Sequence, residues 1–306
     1  MKKIEGKNNL IIYHNDADGI CSAAIVSKFL GNETKEFCPI QYGDPFNFER
    51  VDANTVVWVV DFSFPQEYMW ELDQRSFYFF WYDHHLSAKG IRTTLFENTT
   101  GICDEWRSGC GLTWSELFKD KPCPLSVALI EDRDLWKFNL DNTKEFHEWF
   151  SLNVFGPEDE FWDKALESDT RDLMIDVIRD GKLLLKSKEK SIKYLVEKKG
   201  YFGTIKSYPA FFVNSPMYQS EIGEYVYTRS KDPIVVVIYN YIDEAEVICS
   251  LRSDKINVRD IAETYNGGGH DNAAGFSVNG VNSKLFNKLK IKSNGFKWGE
   301  RQNDSI

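Results

Sequence analysis

The sequence predicts an α/β protein with a parallel-sheet N-terminal domain, a helical linker and a smaller α/β C-terminal domain. Short apolar runs at residues 10–13, 56–60 and 77–82 indicate buried strands, and helix-like segments lie between them. Such alternation is typical of parallel strands joined by crossovers. After Gly200 the pattern changes to shorter strand-like runs. We therefore predict domains at residues 1–200 and 201–306.

The helices of the first domain are expected between and after these strands. One follows the first strand at residues 20–30, and two more are indicated at 108–118 and 125–132. The stretch 146–199 is helix-rich and is expected to supply the linker at its end. Its last third is rich in lysine, and we interpret this run as a solvated helix face more than as a binding patch.

The second domain is expected to mix strands with a short helix. Strands are indicated at residues 210–213, 234–239 and 246–251, and a short helix at 257–265. The glycine-rich sequence GGGHDNAAG follows at 267–275, and a strand-like segment resumes directly after it.

Composition and charge restrict the class of protein. The chain has 306 residues, 42% of them hydrophobic, and a formal charge of −10. Proteins that coat long nucleic acid usually present a basic face, so a long duplex is not the expected partner. The six cysteines form no C-x-x-C pair, and the sequence shows neither a signal peptide nor a run long enough for a membrane helix. We expect a cytoplasmic protein with free thiols and no membrane association.

The first cluster of chemically active residues follows the first strand. Its sequence is HNDADG at residues 14–19, in which His14, Asp16 and Asp18 alternate with small or neutral residues. Alternate side chains of an extended segment share one face, so these three could reach one small volume. Gly19 permits close backbone approach. A surface turn is the alternative, because the same residues also favour turns.

Each of the next two strands also ends in titratable residues. Asp61 follows the second strand, where it could instead cap the next helix. Asp83, His84 and His85 follow the very apolar third strand, and three such groups would be costly to bury without a function. Sites in α/β sheets form beyond the carboxyl ends of the strands. The three clusters are therefore expected to converge.

Two later segments add candidates. The charged sequence EDRD at residues 131–134 offers one more carboxylate, although a solvated helix end is the alternative. The consecutive glycines Gly267, Gly268 and Gly269 favour a backbone nest that can hold an anion, and His270 adds a donor. A flexible linker is the alternative there.

The distribution of histidines favours a single site. The chain has five, and His14, His84, His85 and His270 all fall inside the clusters described above. Random placement would scatter them. His147 stands apart from the clusters, and we interpret it as structural.

In their order and spacing, these motifs resemble the DHH phosphoesterase superfamily, in its branch with the DHH-associated C-terminal domain. That branch includes RecJ-type exonucleases, nanoRNases and cyclic-dinucleotide phosphodiesterases. The resemblance covers nearly the whole chain. The matching segments are HNDADG at 14–19, VDFS at 60–63, DHH at 83–85, Asp132 for the fourth motif, and GGGH with AAG at 267–275. The first motif departs from the RecJ pattern, because His14 stands where those enzymes have Asp.

The resemblance implies two metal positions that share one bridging carboxylate. The implied ligands are His14, Asp16 and Asp61 for one ion, and Asp18, Asp61, His84 and Asp132 for the other. Asp134 is the alternative to Asp132. Oxygen and imidazole ligands without thiolate favour manganese or magnesium over zinc, and the number of histidines favours manganese.

The resemblance also implies which residues contact the substrate. Asp83 would support a ligand, and His85 would face the substrate phosphate. The second domain would hold the phosphate with His270, Arg252 and the three loop glycines Gly267, Gly268 and Gly269. These residues, with His85 and Asp83, are the catalytic and substrate-binding candidates.

The expected activity is therefore phosphoester hydrolysis with two divalent cations. Phosphodiesterase action on short oligonucleotides or on linear or cyclic dinucleotides is the first hypothesis. A phosphomonoesterase for a nucleotide bisphosphate, or an exopolyphosphatase, is the alternative. A processive exonuclease comes third, because it usually has a longer basic channel. A non-catalytic nucleotide-binding module is a further alternative, which metal content would distinguish. The oligomeric state is left open.

Overall fold

The computed structural model describes residues 4–85, 88, 90–91, 96–242 and 246–279. The chain divides into two compact units, Met1–Leu185 and Lys186–Ile306. The division falls within a long helix, α7 (Arg171–Tyr194), and the second sheet begins at Tyr201. The predicted α/β fold with two domains is confirmed, and the boundary at residue 200 stays a prediction.

The first unit contains a parallel sheet of five strands within the described residues. Their order across the sheet is β2-β1-β3-β4-β5, and every neighbouring pair is parallel. The strands are β1 (Asn8–His14), β2 (Lys35–Ile40), β3 (Thr55–Val60), β4 (Tyr78–Asp83) and β5 (Thr99–Cys103). The chain passes from β1 to β2 on one side of the sheet and from β3 to β4 on the other, so the neighbouring strands β1 and β3 form a topological switch point.

Helices cover both faces of this sheet. They are α1 (Ala17–Leu30), α2 (Gln66–Arg75), α3 (Gly109–Leu117), α4 (Leu125–Asp134), α5 (Thr143–Asn153) and α6 (Phe161–Ala165), followed by α7. Local sequence sets where two of them begin. Asp16 caps α1 by accepting from Gly19 N–H, and Ser108 caps α3 by accepting from Gly111 N–H.

The strands predicted from apolar runs form the centre of the core. Every residue of β3 is buried, which explains why its sequence is continuously apolar rather than alternating. One face of the sheet packs Trp58 and Phe80 against α1 and α3, with the two rings stacked 4.1 Å apart. The other face packs Val57 and Trp81 in a second cluster. A sheet buried on both faces holds the residues at its strand ends rigidly.

The second unit contains a mixed sheet of six strands within the described residues, in the order β10-β11-β9-β8-β7-β6. Only the β7–β8 pair is parallel. The strands are β6 (Tyr201–Ile205), β7 (Tyr208–Asn214), β8 (Val235–Tyr241), β9 (Glu246–Arg252), β10 (Gly268–His270) and β11 (Ala273–Asn279). Helices α8 (Gln219–Tyr227) and α9 (Val258–Glu263) pack against it. No described helix combines the length and apolar character that crossing a membrane requires.

Candidate metal centre

The first unit brings the three predicted N-terminal clusters together at one edge of its sheet. Strands β1, β3 and β4 are neighbours, and their carboxyl ends lead directly to His14, to Asp61 and to Asp83. Sequence segments between 22 and 69 positions apart therefore meet because parallel neighbours end at the same edge. The clusters at the ends of β1, β3 and β4 therefore lie together, as the sequence predicted.

The HNDADG segment turns tightly from β1 into α1. His14 Nδ1 lies 2.8 Å from Asp16 Oδ2, and its Nε2 is hydrogen-bonded to Gln41 Oε1 at 3.0 Å. Burial opposes ionisation of Asp16, but the hydrogen bond and charge of His14 outweigh it and lower the pKa of Asp16 to about 2. Gly19 is required here, because a Cβ would lie 1.9 Å from His14 O.

Asp61 is the central carboxylate of the site. It is 1% exposed, and within the described part of the chain neither of its oxygens accepts a hydrogen bond. His84 Nε2 lies 3.1 Å from Oδ1, and His14 Nδ1 lies 3.8 Å from Oδ2. Burial, followed by the charges of Asp18 and Asp16, raises its pKa well above the ordinary value. An isolated buried carboxylate is costly, so this arrangement calls for a cation.

The backbone of Asp61 is also unusual. Its φ of 55° lies in the left-handed region, although Asp61 is not glycine. Such residues cost of order 1 kcal/mol or more and cluster at functional sites. The alternative that Asp61 caps a helix is excluded, because α2 starts at Gln66 and Pro65 occupies its cap position.

Asp83 organises the two histidines that follow it. Its Oδ1 accepts from His84 N–H (2.7 Å), His85 N–H (3.2 Å) and His85 Nδ1 (2.7 Å), while Ser63 Oγ donates to its Oδ2. Burial alone would raise the pKa of Asp83, but the hydrogen bonds from His85 and Ser63 lower it. The carboxylate therefore fixes the His85 ring with its Nδ1 used and its Nε2 available.

His84 lies among three carboxylates. Its Nε2 is 3.1 Å from Asp61 Oδ1, 3.5 Å from Asp134 Oδ2 and 3.7 Å from Asp18 Oδ2. Burial lowers the pKa of His84, more than the charge of Asp18 raises it. A neutral imidazole is the form that binds a metal.

Asp18 lies against the first turn of α3. Its Oδ1 accepts from Ser108 Oγ (2.9 Å) and Cys110 N–H (2.8 Å), and its Oδ2 accepts from Gly109 N–H (2.6 Å). The N-terminus of a helix has free N–H groups and favours a carboxylate. Gly109 also allows the close approach of Asp61 to this turn, because a Cβ at Gly109 would lie 2.5 Å from Asp61 Cβ. Helix α3 therefore fixes the orientation of Asp18.

The prediction that Asp132 is a metal ligand needs a correction. Asp132 is not among the potential ligands, because its side chain accepts from Asn139 N–H (2.9 Å), Leu140 N–H (3.1 Å) and Thr143 Oγ1 (2.5 Å). It organises the loop after α4 instead. Asp134, the alternative, is the residue of α4 that approaches His84 and Asp18. The two side chains are about half a helical turn apart, so they point to different surroundings.

The residues present fit divalent cations. Three sets of side chains each bring their ligand atoms within 4.8 Å of one another: His14 with Asp16 and Asp61, Asp18 with His84 and Asp134, and Asp61 with His84 and His85. Carboxylate oxygen and imidazole nitrogen suit Mg²⁺ or Mn²⁺. The unsatisfied oxygens of Asp61 are a physical reason for metal that does not depend on a motif.

The C-terminal candidates lie within the second unit. Arg252 ends β9, and its Nε donates to Ser220 Oγ at 3.3 Å. Burial lowers its pKa from the ordinary value. His270 is exposed on β10. Its register partner is Ala273, which pairs in turn with Arg252. Directly paired residues share a face of the sheet, so His270 and Arg252 lie on one face.

The prediction that Gly267, Gly268 and Gly269 form a backbone nest for an anion is wrong. Gly268 and Gly269 form strand β10 with His270, paired antiparallel to β11, and the φ of +137° at Gly269 is one that favours glycine. The N–H of Gly267 already donates to Ala262 O at 2.9 Å. A Cβ at Gly267 would lie 2.1 Å from Gly275 O, so close strand packing accounts for this glycine. The substrate-binding role of these residues stays a prediction.

Sequence reasoning missed several residues that support the centre. Ser108 and Gly109 hold Asp18 and Asp61 in place, and Gln41 holds His14. The sequence RSGCG at 107–111 carried one usable signal, a serine cap followed by glycines at a helix start. Gln41 follows an edge strand and carried no comparable signal.

Comparison with known proteins agrees with this description. Residues 217–290 match the family model described as the DHHA1 domain. Uncharacterized protein R106 of Acanthamoeba polyphaga mimivirus is 30% identical over 249 residues, which is 78% of this chain and 58% of that protein. The chain thus spans somewhat more than half the length of this curated relative.

Solved structures share the fold at low identity. The DHH domain of PF0399, a member of a family of ribosomal proteins, has a TM-score of 0.60 at 11% identity, over 90% of this chain and 83% of that one. RecJ of Thermus thermophilus in complex with Mn²⁺ has a TM-score of 0.51 at 16% identity, over 90% of this chain and 50% of that one. Exonuclease RecJ bound to manganese gives 0.50 at 16% identity, over 90% and 86%.

The fold and the site define a two-domain α/β protein with an acidic, histidine-containing centre at the carboxyl edge of its parallel sheet. Residues 217–290 match the DHHA1 domain, and the chain shares its fold with the DHH domain of PF0399 and with RecJ, which agrees with the resemblance found in the sequence.

Proposed function

We propose that this protein is a metal-dependent phosphoesterase that hydrolyses phosphodiester bonds in short oligonucleotides or in linear or cyclic dinucleotides. The observation that carries the proposal is the environment of Asp61, a buried carboxylate that accepts no hydrogen bond from the described residues and lies near four further carboxylates and three histidines. A bound cation would balance the charge of such a group, since buried charges are paired or coordinate metals. The likeness to exonuclease RecJ bound to manganese supports the proposal at the level of fold.

The centre would hold two divalent cations, with Mn²⁺ preferred over Mg²⁺. The ligands would be His14, Asp16 and Asp61 for one, and Asp18, Asp61, His84 and Asp134 for the other. When bound, such ions polarise a phosphoryl oxygen and make water a better nucleophile at neutral pH. The three histidines favour manganese, because imidazole binds a transition metal such as Mn²⁺ better than it binds Mg²⁺.

The chain's own residues would orient the phosphate and balance its charge. Asp83 accepts from His85 Nδ1, which directs the other ring nitrogen away from the carboxylate. With both ring nitrogens protonated, His85 would donate from Nδ1 to Asp83 and from Nε2 to a phosphoryl oxygen, where negative charge develops during hydrolysis. Asp83 remains ionised beside it, because its pKa is lowered.

The second unit would supply affinity for the substrate. Arg252 and His270 lie on one face of its sheet by register, and both side chains bind phosphate well. Small residues, Gly268, Ala273 and Gly275, occupy the same face between and beside them. Together they would form a phosphate-binding surface on a rigid sheet.

A substrate panel tests the activity. Metal-free protein is supplied with Mn²⁺ or Mg²⁺ and offered short RNA, short DNA, cyclic dinucleotides, phosphoadenosine phosphate and polyphosphate. We expect Mn²⁺-dependent cleavage of the short nucleic acids or dinucleotides, and loss of at least about 100-fold in Asp61→Asn. The matched control is Asp176→Asn, at an exposed carboxylate on α7.

The panel also separates the alternative activities. Cleavage of phosphoadenosine phosphate or polyphosphate alone would establish a phosphomonoesterase or an exopolyphosphatase. A protein that binds nucleotides but retains no metal would be a non-catalytic module, and this result would refute the proposal. The variant Asp83→Ala/His84→Ala should also be inactive, and full activity would refute the assigned site.

A further inference from the structure

Tyr42 stands at the edge of the metal centre. It follows β2, and its side chain is 50% exposed although it touches the site. Its ring centroid lies 5.6 Å from that of His14 and 5.7 Å from that of His85. His14 is a potential metal ligand and His85 faces the proposed phosphate position. Tyr42 therefore lies beside both the metal centre and the place proposed for the phosphate.

The local structure holds this ring in place. Tyr42 packs on Phe62 with the ring centroids 4.7 Å apart. The preceding residue, Gln41, bonds His14 Nε2 and Asn15 O through its side chain, and its N–H donates to Asp44 Oδ2. Gly43 follows with a φ of +97°, which turns the chain away directly after Tyr42. The ring is therefore presented before any substrate arrives.

Core packing explains one face of the ring but not its exposure. Phe62 and Phe64 of the same aromatic cluster are almost completely buried. Tyr68 of the same cluster is also 43% exposed, so the feature that distinguishes Tyr42 is its place beside His14 and His85. Half of the surface of Tyr42 remains in water beside the catalytic residues, where it can accept a flat ligand at little conformational cost.

We propose that Tyr42 stacks on the nucleobase next to the phosphate that is hydrolysed, and so makes the centre selective for nucleotides over polyphosphate. The inference rests on the proposed function and adds the residue that selects its nucleotide substrates. Every base has a π-face, so such stacking tolerates all bases and discriminates against substrates without one. A flat base attached to the bound phosphate would meet the ring that flanks His14 and His85.

Binding measurements test the inference without requiring turnover. Calorimetry with Mn²⁺ compares adenosine 5′-monophosphate with ribose 5-phosphate, which carries the same phosphate and sugar without the base. We expect wild type to prefer the nucleotide by about tenfold to a hundredfold, and Tyr42→Ala to lose this preference. Tyr42→Phe keeps the ring and should keep the preference.

The matched control is Tyr68→Ala. Tyr68 is 43% exposed and lies in the same aromatic cluster, in contact with Phe48 and Phe64. This variant should retain the preference for adenosine 5′-monophosphate. Where the protein is active, the KM for a dinucleotide should rise in Tyr42→Ala with little change in kcat.

Three results would overturn the inference. One is equal weakening of both ligands in Tyr42→Ala, which would mean that the ring only supports His14 and His85. Another is an unchanged affinity of Tyr42→Ala for each of the two ligands, and the third is a wild type without any preference. Each differs from failure of the proposed function, which would appear as the absence of hydrolysis across the whole substrate panel.

Discussion

Ser108 donates a hydrogen bond of 2.9 Å to Asp18, from the cap of helix α3 to the first turn of helix α1. Both side chains are buried. With the N–H groups of Gly109 and Cys110, it gives Asp18 three donors. The same α3 turn is tied to α4, because Arg107 and Ser108 N–H both bond Glu131. The position of a potential ligand thus depends on residues that touch no metal themselves.

Replacing Ser108 should weaken metal binding without abolishing the fold. Ser108→Ala removes one donor to Asp18, and residues that orient ligands typically contribute 10- to 100-fold to metal affinity. We expect the Mn²⁺ dissociation constant to rise within this range, measured by calorimetry. The control is Ser126→Ala, which removes a buried hydroxyl bonded to Ala165 O. If both variants have the affinity of wild type, the role of Ser108 is purely structural.

The two carboxylates at the end of α4 should behave differently. Asp134→Asn should lower Mn²⁺ affinity and activity strongly, because Asp134 lies 3.5 Å from His84. Asp132→Asn weakens hydrogen bonds to a loop, and should lower the unfolding free energy by about 1–3 kcal/mol while Mn²⁺ affinity stays near wild type. Thermal melts and metal titrations of both variants check this. The reverse outcome would restore Asp132 as the ligand.

The metal-free protein should gain stability when Asp61 loses its charge. The pKa of Asp61 is raised on folding, so the folded state carries a penalty that is absent below the unfolded pKa, near pH 4, and increases as pH rises toward the folded pKa. In chelator at pH 7, Asp61→Asn should melt about 2–5 °C above wild type. This difference in melting temperature between the variant and wild type should decrease as the pH falls toward 4.

With Mn²⁺ present, the wild type should instead melt above Asp61→Asn. Mn²⁺ binds only the folded state and stabilises it by mass action, so the wild-type Tm should rise with Mn²⁺ concentration. Asp61→Asn should rise far less, because it lacks the shared carboxylate. Melting curves with and without Mn²⁺ at one pH provide the comparison. A variant that is less stable than wild type in chelator at every pH would contradict the electrostatic account.

His270 should affect the substrate and not the metal. It is exposed on β10 of the second unit, and the potential ligands all belong to the first. His270→Ala should raise KM for a dinucleotide by about tenfold or more, since hydrogen bonds to charged groups contribute about 1.5–3 kcal/mol. The Mn²⁺-induced Tm shift should equal that of wild type. A variant with unchanged kinetics would remove His270 from the substrate surface.

The central part of the fold could be predicted from the sequence because burial on both faces leaves a strong signal. Strands β1, β3 and β4 read as continuous apolar runs, and each lies where an apolar run predicted it to within a few residues. Strand β2 escaped prediction because it is an edge strand with mixed exposure and a proline, Pro39. Strand β5 is only half-buried and polar, and it also lacked the signal.

The candidate site could be predicted where ligands stand at strand ends, because neighbouring parallel strands bring such residues together. His14, Asp61 and His84 follow this rule. Asp134 did not, because a helix offers carboxylates at successive angles and only the packing of α4 decides which one approaches His84 and Asp18. The GGGH segment misled for a related reason, since glycines favour a nest and a tightly packed strand equally.

Anomalous diffraction from crystals grown with Mn²⁺ is the most direct test of the central claim. The account predicts two manganese peaks, both within coordination distance of the Asp61 carboxylate, one beside His14 and Asp16 and the other beside His84 and Asp134. Peaks elsewhere in the protein, with none at Asp61, would contradict it.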